Sequence, residues 1–268
     1  MGRVFLAKKK KRARPYSKWI VLPDLQIPHE DKKTVAAVEA YMADVARSDH
    51  PFDGWLQLGD FLDLSELSKY NLGYEASIEE DLFETFKAGN TFLDRHVILM
   101  EDARMVLLQG NHDYRTVDFA KRHPHMGQLV DFERNLQLGA RGIEFVPSWE
   151  NKDELFRLGN AHFLHGHYLN KYHAARMVEA YGVCIFYGHT HDVMEYPKVL
   201  RGANKTIIGK SLGCLCEYDQ QYLMGAPTNW QQAFSEFYIF EDGYFQENTV
   251  RIFKHRFVGP STLKVYTG

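Results

Sequence analysis

Apolar runs that stop abruptly at a polar, turn-forming residue recur through the first two thirds of the chain. Lys18-Trp19-Ile20-Val21-Leu22 reads as a strand that ends in Pro23-Asp24-Leu25-Gln26-Ile27-Pro28-His29. A helix follows, with Asp31 as its cap and Val35, Val38, Met42 and Val45 as its apolar stripe. Gly54 to Leu58 is a second strand, ending in Gly59-Asp60-Phe61-Leu62-Asp63. Leu82, Phe83, Phe86 and Leu93 sit at helical spacing in a stretch that starts near Ile78, and Met105 to Leu108 is the next strand. Strands alternating with helices, each strand closing on polar residues, predict an α/β protein whose parallel sheet carries its site at the strand C-terminal ends.

Tyr114 to Arg141 is polar, helical in pattern and interrupted by His123-Pro124-His125, so the segment 114–141 reads as an insertion that shapes a substrate pocket. Ile143 to Val146 is a short strand, and Leu155–Leu158 with Ala161–Leu164 forms a hairpin across Gly159-Asn160. A helix over Ala174 to Tyr181 leads to the strand Val183 to Tyr187. Alternation then returns at Val193–Leu200, Lys205–Ile208, Phe234–Phe240 and Tyr244–Val258, which predicts antiparallel strands completing a second sheet. No repeat or low-complexity linker divides the chain, so residues 18–268 are expected to form one domain.

Composition narrows the class without naming it. Hydrophobic residues make up 45% and charged residues 25% of 268 residues, ordinary values for a protein with a sizeable core. The net charge of −3 argues against a polycation, although Lys8 to Arg14 holds six basic residues in seven. Residues 1–17 therefore read as a flexible basic arm, whose charge suits a polyanion such as nucleic acid. Three cysteines, Cys184, Cys214 and Cys216, form neither a disulfide framework nor a zinc-ribbon spacing, which points to reduced thiols in the cytoplasm. No run approaches the roughly 18 apolar residues of a membrane span, and no secretory signal pattern opens the chain.

The thirteen histidines change the picture, because His112, His165, His167, His189 and His191 sit at the ends of apolar runs. Five strand ends carry ligand-type side chains: Asp24 and Gln26; Asp60 and Asp63; Asn111 and His112; His165 and His167; His189 and His191. Mixed carboxylate, amide and imidazole donors suit divalent ions such as Mn²⁺, Fe²⁺ or Zn²⁺, and a set this large exceeds the needs of one ion. Two ions sharing a carboxylate would use it. By contrast, Gly209-Lys210-Ser211 lacks the earlier glycine of a phosphate loop, since Asn204 stands there, and Trp230 reads as sandwich core.

In order, Asp-x-Gln, Gly-Asp-x-x-Asp, Gly-Asn-His-Asp, His-Gly-His and Gly-His-Thr-His resemble the signature of calcineurin-like metallophosphoesterases, from Asp24 through His191. Within that family the chain looks similar to phage and prophage members, a softer likeness carried by Ser211-Leu212-Gly213-Cys214-Leu215-Cys216. The resemblance implies a two-sheet β-sandwich flanked by helices, with a binuclear metal site. It implies Asp24, Gln26, Asp60 and His191 around a first metal and Asp60, Asn111, His165 and His189 around a second, with Asp60 bridging. Gln26 departs from the usual histidine and leans the first site towards Mn²⁺ or Mg²⁺; His29 is the alternative donor, and His167 competes with His165. Mn²⁺ is the first expectation for both ions, with Fe²⁺, Zn²⁺, Mg²⁺ and Ni²⁺ behind it.

The implied reaction is phosphate-ester hydrolysis by a hydroxide held between the metals. His112 would serve the leaving group, with Asp63 orienting its ring. Asp113 reads equally as a turn-capping carboxylate, and Arg115 as a solvated side chain. A phosphodiesterase acting on nucleotides or nucleic acid, a nuclease included, is the leading expectation. A phosphomonoesterase or protein phosphatase comes second, weakened because Leu64 stands where protein phosphatases of this type carry arginine. A metal-bound scaffold without catalysis is third, since each ligand position holds a competent donor.

Overall fold

The computed structural model describes residues 14–69, 81–220 and 223–268. It is a mixed α/β protein with several sheets flanked by helices. Four strands, β1 (Tyr16–Leu22), β2 (Gly54–Gln57), β3 (Arg104–Leu108) and β4 (Ile143–Val146), run parallel and in that order. Between them lie α1 (Lys32–Arg47), α2 (Leu82–Leu99) and the short helices α3 (Arg115–Arg122), α4 (Phe132–Asn135) and α5 (Leu138–Arg141). The second sheet is built from β5 (Phe156–Leu158), β6 (Ala161–Leu164), β7 (Cys184–Tyr187), β8 (Glu195–Leu200) and β9 (Lys205–Ser211), in the order β5-β6-β7-β9-β8. Helix α6 (His173–Tyr181) connects β6 to β7, which pair in parallel.

Burial on both faces explains why the first strands read as unbroken apolar runs rather than as alternation. Ile20 and Leu22 of β1 point into a core shared with α1 and α2, built around Tyr41, Met42, Phe92 and Leu93. Trp19 and Val21, one residue out of phase, enter a second core with Leu56, Val106, Phe163, Ile185 and Phe186. That second core contains side chains from both large sheets and fills the space between them.

The C-terminal third departs from expectation. β10 (Ala233–Phe240) and β11 (Phe245–Arg251) do not complete the second sheet but extend the first, giving the order β11-β10-β1-β2-β3-β4. β10 lies antiparallel to β1 from Tyr16↔Phe240 to Val21↔Ser235. Alternation fixes which faces are buried, not which open edge a strand joins. β10 is also buried on both faces, with Phe234 in the first core and Phe237 in the second. β9 in turn pairs parallel with β7, and only its β8 partner is antiparallel. A further hairpin of β12 (Arg256–Val258) and β13 (Val265–Thr267) packs on α1 through Tyr266.

Three boundaries also shift. β1 begins at Tyr16, and Arg14 donates to Pro51 O at 3.2 Å and Asp53 Oδ2 at 2.5 Å, so the end of the expected arm belongs to the fold. The rest of that arm, and Ile78, lie outside the described residues. α2 is capped by Asp81, whose carboxylate accepts from Phe83 N and Glu84 N, and Phe83 faces solvent rather than the core. Among the described residues, no helix is long and apolar enough to cross a membrane.

Candidate metal centre

The residues after β1, β2, β3, β6 and β7 meet at one place. Asp60, His165 and His189 form one group of donor atoms lying within 4.8 Å of one another; Asp24, Asp60 and His191 form another, and Asp60 is common to both. Asn111 joins the first group, its Oδ1 lying 2.9 Å from His165 Nε2. Thus the carboxylate expected to bridge is the one that both groups share.

Backbone strain and close approach hold this arrangement. Gln26, Asp60, His189 and His191 adopt φ of 50°, 49°, 67° and 59°, a left-handed conformation costly for non-glycine residues. Two glycines let the loops close. A Cβ on Gly110 would lie 2.1 Å from Asp60 N and 2.2 Å from Asp60 Oδ1, and one on Gly188 would lie 2.0 Å from Asp24 Oδ1. No other residue leaves room for both carboxylates. Asp113 completes the frame as a capping carboxylate, accepting from Phe61 N and Leu62 N at 3.1 Å and from Gly110 N at 2.8 Å. It is fully buried and ties the Asp60 loop to the Asn111 loop.

Two of the imidazoles, His165 and His191, meet a partner through the far nitrogen. His165 Nδ1 donates to Leu58 O at 2.9 Å, which leaves Nε2 facing Asp60 Oδ2 at 3.2 Å. His191 Nε2 lies 2.9 Å from Asp24 Oδ2, and its Nδ1 faces Cys216 Sγ at 3.7 Å. The 189–192 loop is anchored from below: Asp192 accepts from Thr190 and Ser211 hydroxyls at 2.8 Å and meets His173 Nε2 at 3.2 Å. Asp24 itself accepts the His189 backbone N–H at 2.9 Å.

The electrostatics would suit a cation. Burial pushes the His165 imidazole down, but Asp60 and Asp24 outweigh it and raise the group to about 9. His191 likewise reaches about 9 because Asp24 overcomes its burial. His189 falls to about 3, through burial and the His165 charge beside it. For Asp60, burial is outweighed by His112 and His165, and its carboxyl lies well below the ordinary range. Buried carboxylates here draw two imidazolium charges to themselves, and divalent ions would replace those protons with larger charges. Gln26 adds a second sign of fit: its Oε1 is buried and has no hydrogen-bond partner, as an oxygen donor to a cation would be. His29 contributes to neither donor group. His167 also stays apart, its ring packed on Tyr168 at 4.3 Å and near Tyr181 at 5.9 Å.

Beside the donors, His112 Nδ1 lies 2.8 Å from Asp63 Oδ1. Arg115 is not solvated. Its guanidinium donates to Asp63 O at 2.6 Å and stands 3.2 Å from His112 Nε2. Because guanidinium only donates, this contact suits the tautomer of His112 that carries its proton on Nδ1 and accepts at Nε2. Trp230 likewise is not core: its ring is half-exposed and edge-on to His191 at 4.2 Å, while Trp149 packs on His165 and His189 at 5.8 and 5.5 Å. Sequence spacing held a signal for Arg115, one helical turn after His112. For Trp149, Trp230 and Cys216 it held none, because loops deliver them from distant positions.

No family model matches the chain. Two phage proteins do: the Gene 54 protein of Mycobacterium phage L5 is 25% identical over 235 residues, covering 81% of this chain and 86% of the relative. The Gene 54 protein of Mycobacterium phage D29 is 24% identical over 230 residues, covering 80% and 86%. Among solved structures, the hypothetical protein PH1004 from Pyrococcus horikoshii OT3 aligns over 88% of this chain and 87% of its own, with a TM-score of 0.43 and 9% identity.

Proposed function

We propose that this protein is a metal-dependent phosphoesterase of the calcineurin-like type that hydrolyses phosphodiesters of nucleotides or nucleic acid. The observation that carries the reading is the sharing of Asp60 by two compact donor groups with the His112–Asp63–Arg115 cluster beside them. Asp24, Gln26, Asp60 and His191 would hold one ion, and Asp60, Asn111, His165 and His189 the other, with Mn²⁺ best suited to the amide-containing set. When bound, the ions supply a nucleophile at neutral pH and draw charge from the phosphoryl oxygens.

The chain's own residues do the rest. Asp63 takes the Nδ1 proton of His112 in a hydrogen bond and fixes the ring, so that Nε2 faces the reacting ester. Arg115, held in place by the Asp63 carbonyl, adds a fixed cation where charge develops on the leaving oxygen. To serve the leaving oxygen, His112 would take up a second proton at Nε2, giving up its Arg115 contact, and then donate that Nε2 proton to the departing alkoxide while Asp63 keeps the one at Nδ1. A diester presents one alkoxide to this cluster and leaves the second ester arm to the open side, where Trp149 and Trp230 offer aromatic surface suited to a nucleobase.

Protein loaded with Mn²⁺ should hydrolyse bis-p-nitrophenyl phosphate and at least one of cyclic nucleotides, single-stranded DNA or double-stranded DNA. Turnover of p-nitrophenyl phosphate alone would turn the reading to a monoesterase. Two bound ions with no turnover on any ester would make the protein a metal-bound scaffold.

A further inference from the structure

His191 is held differently from the other imidazoles of the centre. His165 is oriented by a carbonyl oxygen and His112 by a carboxylate, whereas the far nitrogen of His191 meets a sulfur, Cys216 Sγ, at 3.7 Å. That separation is a normal N–H···S hydrogen bond, sulfur being larger than oxygen. Both partners are buried, His191 with 3% and Cys216 with 0% of their surface exposed, so water does not compete. The segment that carries the sulfur is fixed to the site itself. Leu215 N donates to Asp24 O at 2.7 Å, Cys214 N to Gln231 O at 3.0 Å, and Glu217 N to His29 O at 2.9 Å. Cys216 therefore keeps its place relative to Asp24, the residue that His191 Nε2 faces at 2.9 Å.

We propose that Cys216 is the positioning residue of the first metal site: its Sγ accepts the Nδ1 proton of His191 and thereby presents Nε2, unprotonated, beside Asp24. An imidazole can offer only one nitrogen to an ion while the other keeps its proton, so the acceptor at Nδ1 selects the tautomer that binds. A thiol is a weaker acceptor than a carboxylate and withdraws less from the N–H bond, which leaves the imidazole a weaker donor. Together with the amide of Gln26, this makes the first site the weaker of the two. The inference rests on the binuclear reading proposed above, because it gives His191 Nε2 an ion to bind.

The test uses the full-length protein with Zn²⁺, which is diamagnetic, read by equilibrium dialysis and by long-range ¹H–¹⁵N spectra of the histidine rings. Wild type should bind two ions and show His191 as the Nδ1–H tautomer. Cys216→Ala should keep the ion of the Asp60–Asn111–His165–His189 site and bind the other about 10- to 100-fold more weakly, the usual cost of losing such a partner. Its His191 signals should show mixed tautomers. Cys216→Ser, which keeps a hydrogen-bonding group and nearly the same volume, should recover part of the affinity and serves as the test should the alanine variant not fold. Cys184→Ala, a deletion in the second core away from the donors, should leave both affinities unchanged. Two ions bound equally by wild type, Cys216→Ala and Cys216→Ser, with His191 unaltered, would overturn the proposal. So would a thiolate-to-metal charge-transfer band on Co²⁺ binding, since Cys216 would then be a ligand. Wild type that binds no ion would instead remove the binuclear reading and this inference with it.

Discussion

At the scale of single residues, the site divides into side chains of the two candidate donor groups and side chains that hold those in place. His112 belongs to neither set, which makes it testable apart from the metals. His112→Ala should retain both ions and lose about 10²- to 10⁴-fold in rate, the range for a lost proton-transfer group. The loss should be steepest for esters with poor leaving groups, and Arg115→Ala should follow the same trend. Metal loss in His112→Ala, measured by elemental analysis, would show that His112 binds an ion. Asp113 illustrates the second set. Asp113→Asn keeps the volume but replaces one acceptor oxygen with an NH₂ group facing backbone N–H donors. A stability loss of about 1–3 kcal/mol is expected for donors left unpaired, together with weaker metal binding as the Asp60 loop loosens. An unchanged melting temperature would show that the cap is dispensable. The donors were legible because each sits directly after an apolar run, and such local order survives in a linear string. Arg115 had a partial signal in its spacing from His112; Cys216 and the two tryptophans had none, because their roles come from loops that meet only after the sheets form.

At the scale of elements, the same limit governs what the sequence revealed. The first four strands and their helices follow from periodicity, because crossover connections place each new strand beside the last. The destination of β10 does not, because joining β1 or completing the second sheet buries the same aromatic faces. The β12–β13 hairpin was invisible for another reason: β13 has three residues, and its single buried ring, Tyr266, makes no period. That hairpin is fastened to α1 by charge. Asp44 lies near Lys264 Nζ and Tyr266 OH, both at 2.9 Å, and Lys264, Tyr266 and Arg47 together lower its carboxyl from 3.8 to about 2. A depressed carboxyl stabilises the fold while ionised, so the contribution is complete above pH 3.8 and disappears as pH falls towards 2. The protection of the hairpin amides, taken against the unfolded-chain exchange rate at each pH, should therefore be lower across that window than at pH 5. The Asp44→Asn variant should show the low protection at both pH values, and added salt should shrink the difference. Protection that does not change between pH 5 and 2 in wild type would rule out this fastening.

At the scale of the whole molecule, β1 joins two buried charge clusters of opposite purpose. Beyond its C-terminal end stands Asp24 of the candidate metal centre; near its start stands Lys18, roughly 20 Å away at the rise of an extended strand. Lys18 is 2% exposed and 3.6 Å from Glu236 Oε1, a fully buried carboxylate on β10. Glu236 also accepts hydrogen bonds from Tyr41 of α1, from Tyr238 at 2.7 Å and from Ser261 at 3.1 Å, and Lys18 donates to Ser261. One carboxylate thus ties the first strand, the first helix, the late-arriving β10 and the C-terminal segment. Burial lowers the Lys18 ammonium despite Glu236, so the pair tolerates the interior only while intact. Glu236→Gln keeps the shape but strands the ammonium, and should cost about 3–5 kcal/mol, a large part of the roughly 5–15 kcal/mol that holds a domain together. The sign of its pH dependence follows. A lysine held below 10.5 in the fold binds its proton less well there than when unfolded, so stability rises with pH from the folded value towards 10.5. Denaturant midpoints should accordingly recover for Glu236→Gln between pH 7 and pH 9.5, and Lys18→Met in the same background should restore stability without raising the pH. Metal binding to the folded fraction should be unchanged in all three proteins, since the centre lies at the other end of the strand. A Glu236→Gln midpoint equal to wild type would mean that Lys18 needs no counter-charge, and that packing alone fixes β10 at the edge of the first sheet.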